Sequence, residues 1–248
     1  LQLPGVTSAQ EGASGFNVRG GSVDGNLVLL DEAVVYNTSH LFGFFSVFNS
    51  DVIKDLKLYK GGIPANFGGR ISSVLDIYQK EGNNKEYHAT GGLGLISSRL
   101  LVEGPVVKEK SSFVVAGRGS YMHLFLKLAD EPNSVYFYDL NAKLNYKLNK
   151  NNNLYISGYY GYDYMNFNDA LINDYGNTFV NVRWNHIFSD KLFSNLSAIY
   201  SDYDYAIRIK FAGLNGVTEI KNYNIKYDFK HYVSNDFVLN YCLLYTSD

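Results

Sequence analysis

The feature that most constrains this chain is an alternation of apolar and polar residues sustained for longer than an ordinary strand. From Tyr138 to Leu148 one face reads Tyr138, Leu140, Ala142, Leu144, Tyr146 and Leu148, and the other reads Asp139, Asn141, Lys143, Asn145 and Lys147. Asn222 to Lys230 repeats it, with Tyr223, Ile225, Tyr227 and Phe229 against Asn222, Asn224, Lys226, Asp228 and Lys230. Thr178 to Phe188 sets Val180, Val182, Trp184 and Phe188 against Asn181, Arg183 and Asn185. A period of two sends successive side chains to opposite faces of a strand, so each segment has two different environments. These segments match or exceed the roughly 9–11 residues that a tilted strand needs to cross a bilayer, whereas soluble sandwiches use strands of about 5–6. A soluble β-sandwich with a Tyr-rich surface is the alternative that the pattern leaves open.

The composition fits this reading. With a formal net charge of -2 and 19% charged residues, no strong field directs the chain to nucleic acid or to an anionic surface. Aromatic residues make up 16%, with 22 Tyr and 16 Phe, yet mean hydropathy is only -0.16. Alternation reconciles the two. No apolar run reaches the about 18 residues of a transmembrane helix, but a barrel gives lipid only every second side chain and stays open.

The connections after residue 82 sort into two kinds. Tight ones at "GPVVKEKS", "LNKNNN", "FSDK" and "HYVSND" alternate with longer ones at "MHLFLKLADEPNS", "NFNDALINDYG" and "RIKFAGLNG". Short turns at one end and long loops at the other are the asymmetry of an outer-membrane barrel. That places Asn173 in an outer loop and Asn152 in an inner turn. Tyr159, Tyr160, Tyr162 and Tyr164 read as an interfacial girdle at strand ends.

The first 82 residues have another texture. Short strands are expected at Asn26–Leu30, Ile53–Tyr59 and Val74–Tyr78, among paired glycines, with a short helix in Phe42–Phe48 closed by Asn49 or Ser50. The stretch "GFNVRGGSVDGNLVLLD", Gly15 to Asp31, invites comparison with a phosphate-binding loop. Its glycines precede the strand instead of joining a strand to a helix, and neither G-x-x-x-x-G-K-[ST] nor G-x-G-x-x-G occurs in it.

The chain opens at Leu1 without an initiator Met or a signal-type apolar segment, which reads as a truncated start. The final "CLLYTSD", residues 242–248, holds the single cysteine and looks like an in-frame translation of a sequencing adapter. On that reading the natural chain diverges near Tyr241. One cysteine by itself builds neither a disulfide nor a zinc site.

"LQLPGV", "EGASGFNVRGGSVDGNLVLLDEAVVYNTSHLFGFFSVFNSDVIKDLKLYKGGIPANFGGRISSVLDIYQKEG" and "GLISSRLLVEGPVVKEKSSFVVAGRGSYMHLFLKL" closely resemble a TonB-dependent outer-membrane receptor, from the end of its plug domain into its barrel. Several spaced motifs occur in the family's order and cover about half the chain; the remainder fits by pattern. The resemblance implies a mainly β protein: a small α/β plug at 1–82, then antiparallel transmembrane barrel strands at 83–248. About nine of the family's 22 strands would be present. Glu32 is a departure, because the family commonly has Gly after the Asp of the "LLD" strand. It also implies an outer-membrane location in a Gram-negative bacterium. Implied partners are outer-membrane lipid, an extracellular small ligand, a TonB-type inner-membrane energy-coupling complex and a surface lipoprotein. Nucleic acid is not among them, and no cofactor is implied. A TonB-contacting box would lie ahead of Leu1.

In such a plug Arg19 and Asp31 become polar pins between glycine-permitted turns. Arg19 either bonds a barrel-wall carboxylate, Glu103 for example, and holds the channel shut, or it closes its own loop on local carbonyls. Arg70 in "NFGGR" carries the same pair of readings. Arg99, Glu103 and Arg118 are assigned to the inward face, because a charge facing lipid costs roughly 2–4 kcal/mol at the midplane.

Catalysis finds little support. His40, His88, His123, His186 and His231 lack H-E-x-x-H or i, i+4 spacing, and no Ser sits in G-x-S-x-G. Asp202 and Asp204 read as solvated or cation-binding near a strand end. Two functions remain: a receptor that drives uptake of a siderophore, haem, cobalamin, oligosaccharide or peptide, and an adhesin-type or structural barrel that moves nothing. A separate globular domain in the lumen favours the first.

Overall fold

The computed structural model describes residues 3–8 and 15–247. Leu1, Gln2, Glu11–Ser14 and Asp248, which enter the resemblance and the reading of the ends, lie outside the described residues. Within the N-terminal module β1 (Val6–Ser8) pairs with β2 (Phe16–Val18). Next come β3 (Asn26–Leu30), β4 (Ala33–Val34), β5 (Ser39–His40), β6 (Phe45–Ser46), β7 (Ile53–Tyr59) and β8 (Ser73–Gln79). Four of these form a sheet in the order β4-β3-β8-β7, with β3 and β8 parallel. β3 is buried at every position, as expected of a strand covered on both faces. Its continuous Leu-Val-Leu-Leu run, unlike the alternation downstream, encodes that.

Asp31 and Glu32 join β3 to β4 as a two-residue turn with φ of 47° and 73°. A type I′ hairpin turn demands positive φ at both residues, the reason glycine suits such a position. Glu32 adopts that conformation at a cost of about 1–2 kcal/mol, and its side chain finds partners described below.

Phe42–Phe48 is not the expected helix. A single 3-10 turn spans Leu41–Gly43, with positive φ at Leu41, Phe42 and Gly43, and the chain then returns as β6 against β5. Pairing of His40 with Phe45 and of Ser39 with Ser46 closes a tight hairpin, which leaves no length for a helix.

The remainder is one antiparallel sheet in chain order: β9 (His88–Leu93), β10 (Ser97–Val107), β11 (Ser111–Ser120), β12 (Ser134–Asn149), β13 (Asn152–Phe167), β14 (Leu171–Ser189), β15 (Leu192–Ile209), β16 (Leu214–Tyr232) and β17 (Val238–Ser247). A helix, α1 (Met122–Leu128), sits between β11 and β12, where only a loop was expected. "NFNDALINDYG" is a correction as well. β14 begins at Leu171, so Asn173 is a buried strand residue paired with Met165 and Ile207, and the turn is confined to Asn168–Ala170. β14 and β16 each run 19 residues, about 60 Å at ~3.3 Å per residue. Hairpins this long stay paired over more than the thickness of a bilayer, which is why sequence that reads as loop is ladder. Residues 242–247 likewise continue β17 against β16, although the alternation lapses at Leu243 and Leu244, both exposed.

The sheet is inside-out relative to a soluble one. Tyr138 and Leu140 are 42% and 49% exposed, while Asp139, Asn141 and Lys143 on the alternate face are 2–4% exposed. The polar face is buried because the N-terminal module fills the concave side. Tyr159 belongs there too, buried and stacked on Phe179, and not in a strand-end girdle. The outward tyrosines do form a tier: Tyr136 on Tyr164, and Tyr138 on Tyr160 and Tyr162. Towards the opposite end Trp184, His186, Phe188, Phe229 and Tyr241 make a second chain of ring contacts. Thr178, opposite Tyr160, and His186 mark the two tiers on β14. They lie about 27 Å apart along the strand, or about 20 Å along a normal tilted by ~40°, close to the apolar band of a membrane barrel. No described helix is long and apolar enough to cross a membrane.

Candidate functional site

The site is the seam between the N-terminal module and the polar face of the sheet. Its apolar part is one cluster in which Val28, Leu30, Val35, Val47 and Ile77 of the module pack with Tyr159, Phe179 and Ile199 of the wall. Burial of this kind holds the two together without fixing their register. The buried charges supply direction.

His40, at the end of β5, is 1% exposed between two wall carboxylates. Its Nδ1 lies 2.6 Å from Asp163 Oδ2 and its Nε2 3.2 Å from Asp139 Oδ2. Only the imidazolium donates from both nitrogens, so the geometry favours the charged ring. Arg118 completes the cluster, donating to Asp139 through Nε at 2.8 Å and through its terminal nitrogen to the Ser46 carbonyl at 2.7 Å. Two cations face two carboxylates. Burial opposes charge on His40, but the Asp139 and Asp163 hydrogen bonds and charges outweigh it and raise the pKa above that of free histidine. The left-handed turn beyond His40 is held by the wall as well, since the Leu41 amide donates to Asp163 Oδ1 at 2.8 Å and the Phe42 amide approaches the Tyr175 hydroxyl of β14 at 3.4 Å. Phe137 stacks on the imidazole, 4.4 Å between centroids.

A second tier is built on the β3–β4 turn. Lys143 Nζ donates to Asp31 Oδ1 at 2.9 Å and to the Gln79 carbonyl at 3.0 Å, both side chains of the ion pair being almost wholly buried. Asp31 Oδ1 also accepts the Gln79 amide at 3.1 Å, and its carbonyl accepts Asn181 Nδ2 at 2.6 Å. The neighbouring Glu32 accepts from Ser197 Oγ at 2.6 Å and lies 3.5 Å from Arg183. Asn177 clamps the following segment, its Oδ1 accepting the amides of Tyr36 and Asn37 and its Nδ2 donating to the Asn37 carbonyl. A third tier at the far end ties the Glu81 carbonyl to Ser112 Oγ and Asn145 Nδ2, and Arg99, opposite Arg118 in the ladder, pairs with Asp51 at 3.0 Å.

Of the residues singled out from sequence, Asp31, Arg99 and Arg118 therefore meet across the seam. Arg19 does not reach the wall: it is exposed, with φ of 49°, and its guanidinium lies against Gly61 of its own module. Arg70 donates to the carbonyl of Gly69 and faces a hollow beside β16 and β17. Glu103 is half-buried on β10, and among the described residues it forms no ion pair with Arg19 or with any other cation. Asp163 and Asn177 were not found from the sequence; His40 was noted only as lacking metal-site spacing, Glu32 only as a departure from the family, and Asn181 only as part of the polar face of Thr178–Phe188. Asp139 and Lys143 were visible as the polar face of Tyr138–Leu148, but not as partners of His40 and Asp31.

Asp202, Asp204 and Glu219 bring carboxylate oxygens within 4.8 Å of one another; Asp202 pairs with Thr178 and Asp204 with Gly176, so they lie inside β15 level with the tyrosine tier and not near a strand end. The Tyr200 hydroxyl and Lys221 already bond Asp202 and Glu219, as solvated side chains do.

Residues 1–74 match the family model of the TonB-dependent receptor plug domain. The chain carries a TonB-dependent receptor plug. No curated protein matches it. Among solved structures it is similar to a mutant of the ferric enterobactin receptor PfeA from Pseudomonas aeruginosa, at 14% identity and a TM-score of 0.70, covering 98% of this chain and 45% of that one. The siderophore receptor PirA from Acinetobacter baumannii gives 13% identity and a TM-score of 0.70, over 98% and 44% of the two chains. The copper transporter OprC gives 10% and 0.69, over 100% and 44%. At these identities the likeness is one of fold: the nine strands are arranged as barrel strands around a plug. The chain spans somewhat under half the length of these structures.

Proposed function

We propose that this chain is the plug and the first nine barrel strands of a TonB-dependent outer-membrane transporter, which takes up a scarce ligand and catalyses no reaction. The carrying observation is the seam. Its buried ion pairs join two bodies that share an apolar core, and such pairs add little net stability over apolar contacts while fixing one register. A plug that must leave and return to one position needs that property. On this reading α1 and the turns at Asn168–Ala170 and Lys210–Gly213 lie outside, and the turns at Lys150–Asn151 and Asp190–Lys191 lie in the periplasm. A TonB-type inner-membrane complex supplies the pull. His40, Arg118, Asp139 and Asp163 form a latch, and Asp31 with Lys143 forms a second pin. Siderophore, haem, cobalamin, oligosaccharide and peptide all remain within the ligand classes of this reading, and the siderophore and copper receptors of like fold support small scarce cargo.

The test has two steps. Cells lacking the gene are grown with each ligand class as the limiting nutrient, and the one whose use is lost defines the cargo. Glu32→Cys with Ser197→Cys, bridged by a short reductant-cleavable thiol cross-linker, then tethers plug to wall where the native side chains touch. Cross-linked cells should bind the cargo and fail to import it, and a reductant should restore import. An adhesin-type barrel would lose no nutrient and ignore the tether.

A further inference from the structure

The helix α1 is a part of the outer end that the seam does not use. It packs on the outward face of the wall, away from the plug, because the His123 ring meets Tyr136 edge-on at 5.2 Å. Tyr136 shares its face with Tyr138 and Leu140 by the period of the strand, and stacks into the outward tyrosine tier through Tyr164. The side of α1 turned from the wall carries Leu124, Phe125 and Leu128, which are 52%, 51% and 84% exposed. They are spaced i, i+1, i+4, a single stripe on a helix, and Lys127 is the one full charge in the element.

The wall below supplies a second, independent feature. On the same outward face Leu100 stands between Gly91 and Gly117, and Ser98 opposes Gly119. Three positions without side chains leave a trough bordered by Leu93 and Leu100, just before β11 turns through Tyr121 into α1. Both features continue the apolar outward band, so what covers that band also covers them.

We propose that α1 is an interfacial anchor. It lies in the outer leaflet with Leu124, Phe125 and Leu128 among the acyl chains, Lys127 at headgroup height, and a chain of that lipid running down the glycine trough. A short helix with one apolar stripe, lying flat at the boundary, binds a membrane by this means. The proposal rests on the barrel reading above.

The test uses the full receptor carrying this chain in bilayers, with Cys242→Ser as background and an environment-sensitive fluorophore on Leu128→Cys. Lipids bearing a nitroxide near the headgroup or near the chain end serve as quenchers. Label at 128 should shift to the blue and lose emission to the shallow nitroxide more than to the deep one. Label on Asp169→Cys, at an exposed turn of the same end, should do neither. Phe125→Cys reads the same stripe if the first variant does not assemble. A label on Leu140→Cys separates the failures. Quenching at 140 with none at 128 or 125 overturns the anchor and keeps the barrel, as does a blue shift at 128 without lipid quenching, which would mean that protein covers the helix. No quenching at 140 overturns both.

Discussion

Replacing His40 by Gln tests the latch most directly. Glutamine is neutral and of similar length, and keeps one donating nitrogen. It removes one of two cations from a buried set that also holds Arg118, Asp139 and Asp163, with the Tyr175 hydroxyl and the Phe137 ring as the remaining neighbours. Asp139 retains Arg118. Asp163 is left with the Leu41 amide and no cation. Removing one partner of a buried pair costs about 3–5 kcal/mol, and a glutamine bond to the carboxylate returns about 1.5–3 kcal/mol. The net loss is about 2 kcal/mol, a roughly 30-fold rise in local opening. Hydrogen exchange of the Leu41 and Phe42 amides reads that opening, because both donate to the wall. The pH dependence carries the sharper signature. His40 has a raised pKa in the folded state, so its contribution is fully present below the unfolded value of about 6.5 and is lost as pH rises through the folded one. Wild-type protein should therefore open more at alkaline than at mildly acid pH, after correction for intrinsic exchange, and His40→Gln should lose that difference. Adding Asp163→Asn to His40→Gln should restore much of the protection by removing the orphaned charge. A His40→Gln protein that keeps the wild-type pH dependence would refute the latch.

Three further outcomes follow from the seam and the strand register. Lys143→Met should destabilise plug docking by about 3–5 kcal/mol by leaving Asp31 buried and unpaired, and the double variant with Asp31→Asn should cost clearly less; chemical denaturation followed at the plug measures both. Glu32→Gly relieves about 1–2 kcal/mol of left-handed strain but forfeits the Ser197 bond, worth about 1.5–3 kcal/mol. It should lower the midpoint of the same curve slightly, and a clear rise would show that the contact contributes nothing. On intact cells Asn173→Cys should resist a membrane-impermeant maleimide that labels Asp169→Cys, because Asn173 is buried within β14; equal labelling would place the end of the ladder lower than described.

Much of the fold was legible from sequence because period-2 patterning reports the two faces of a strand locally. The polar set Asp139, Asn141, Lys143 and the apolar set Tyr138, Leu140 needed no knowledge of neighbours, and β3 could be placed as a strand, although its cover on both faces was shown only by the structure. The turn at Asp31–Glu32 could be placed but not its conformation. The 3-10 turn at Leu41–Gly43 was misread as a helix, because apolar side chains without periodicity do not specify backbone dihedrals.

What sequence alone determined, then, is which side chains share a face and that one face is polar over a length that spans a membrane. Which charges meet was decided by tertiary structure. His40 finds its carboxylates 123 and 99 residues away, and Asp31 finds Lys143 112 residues away, through the register of nine strands and the depth at which the plug sits among them. Arg19 shows the converse, since its place in a glycine-punctuated motif gave it a role while its guanidinium lies against Gly61 of its own module. Coulomb energy is set by distance and local dielectric, and along this chain neither can be read from the identity of a charge or from its neighbours in sequence.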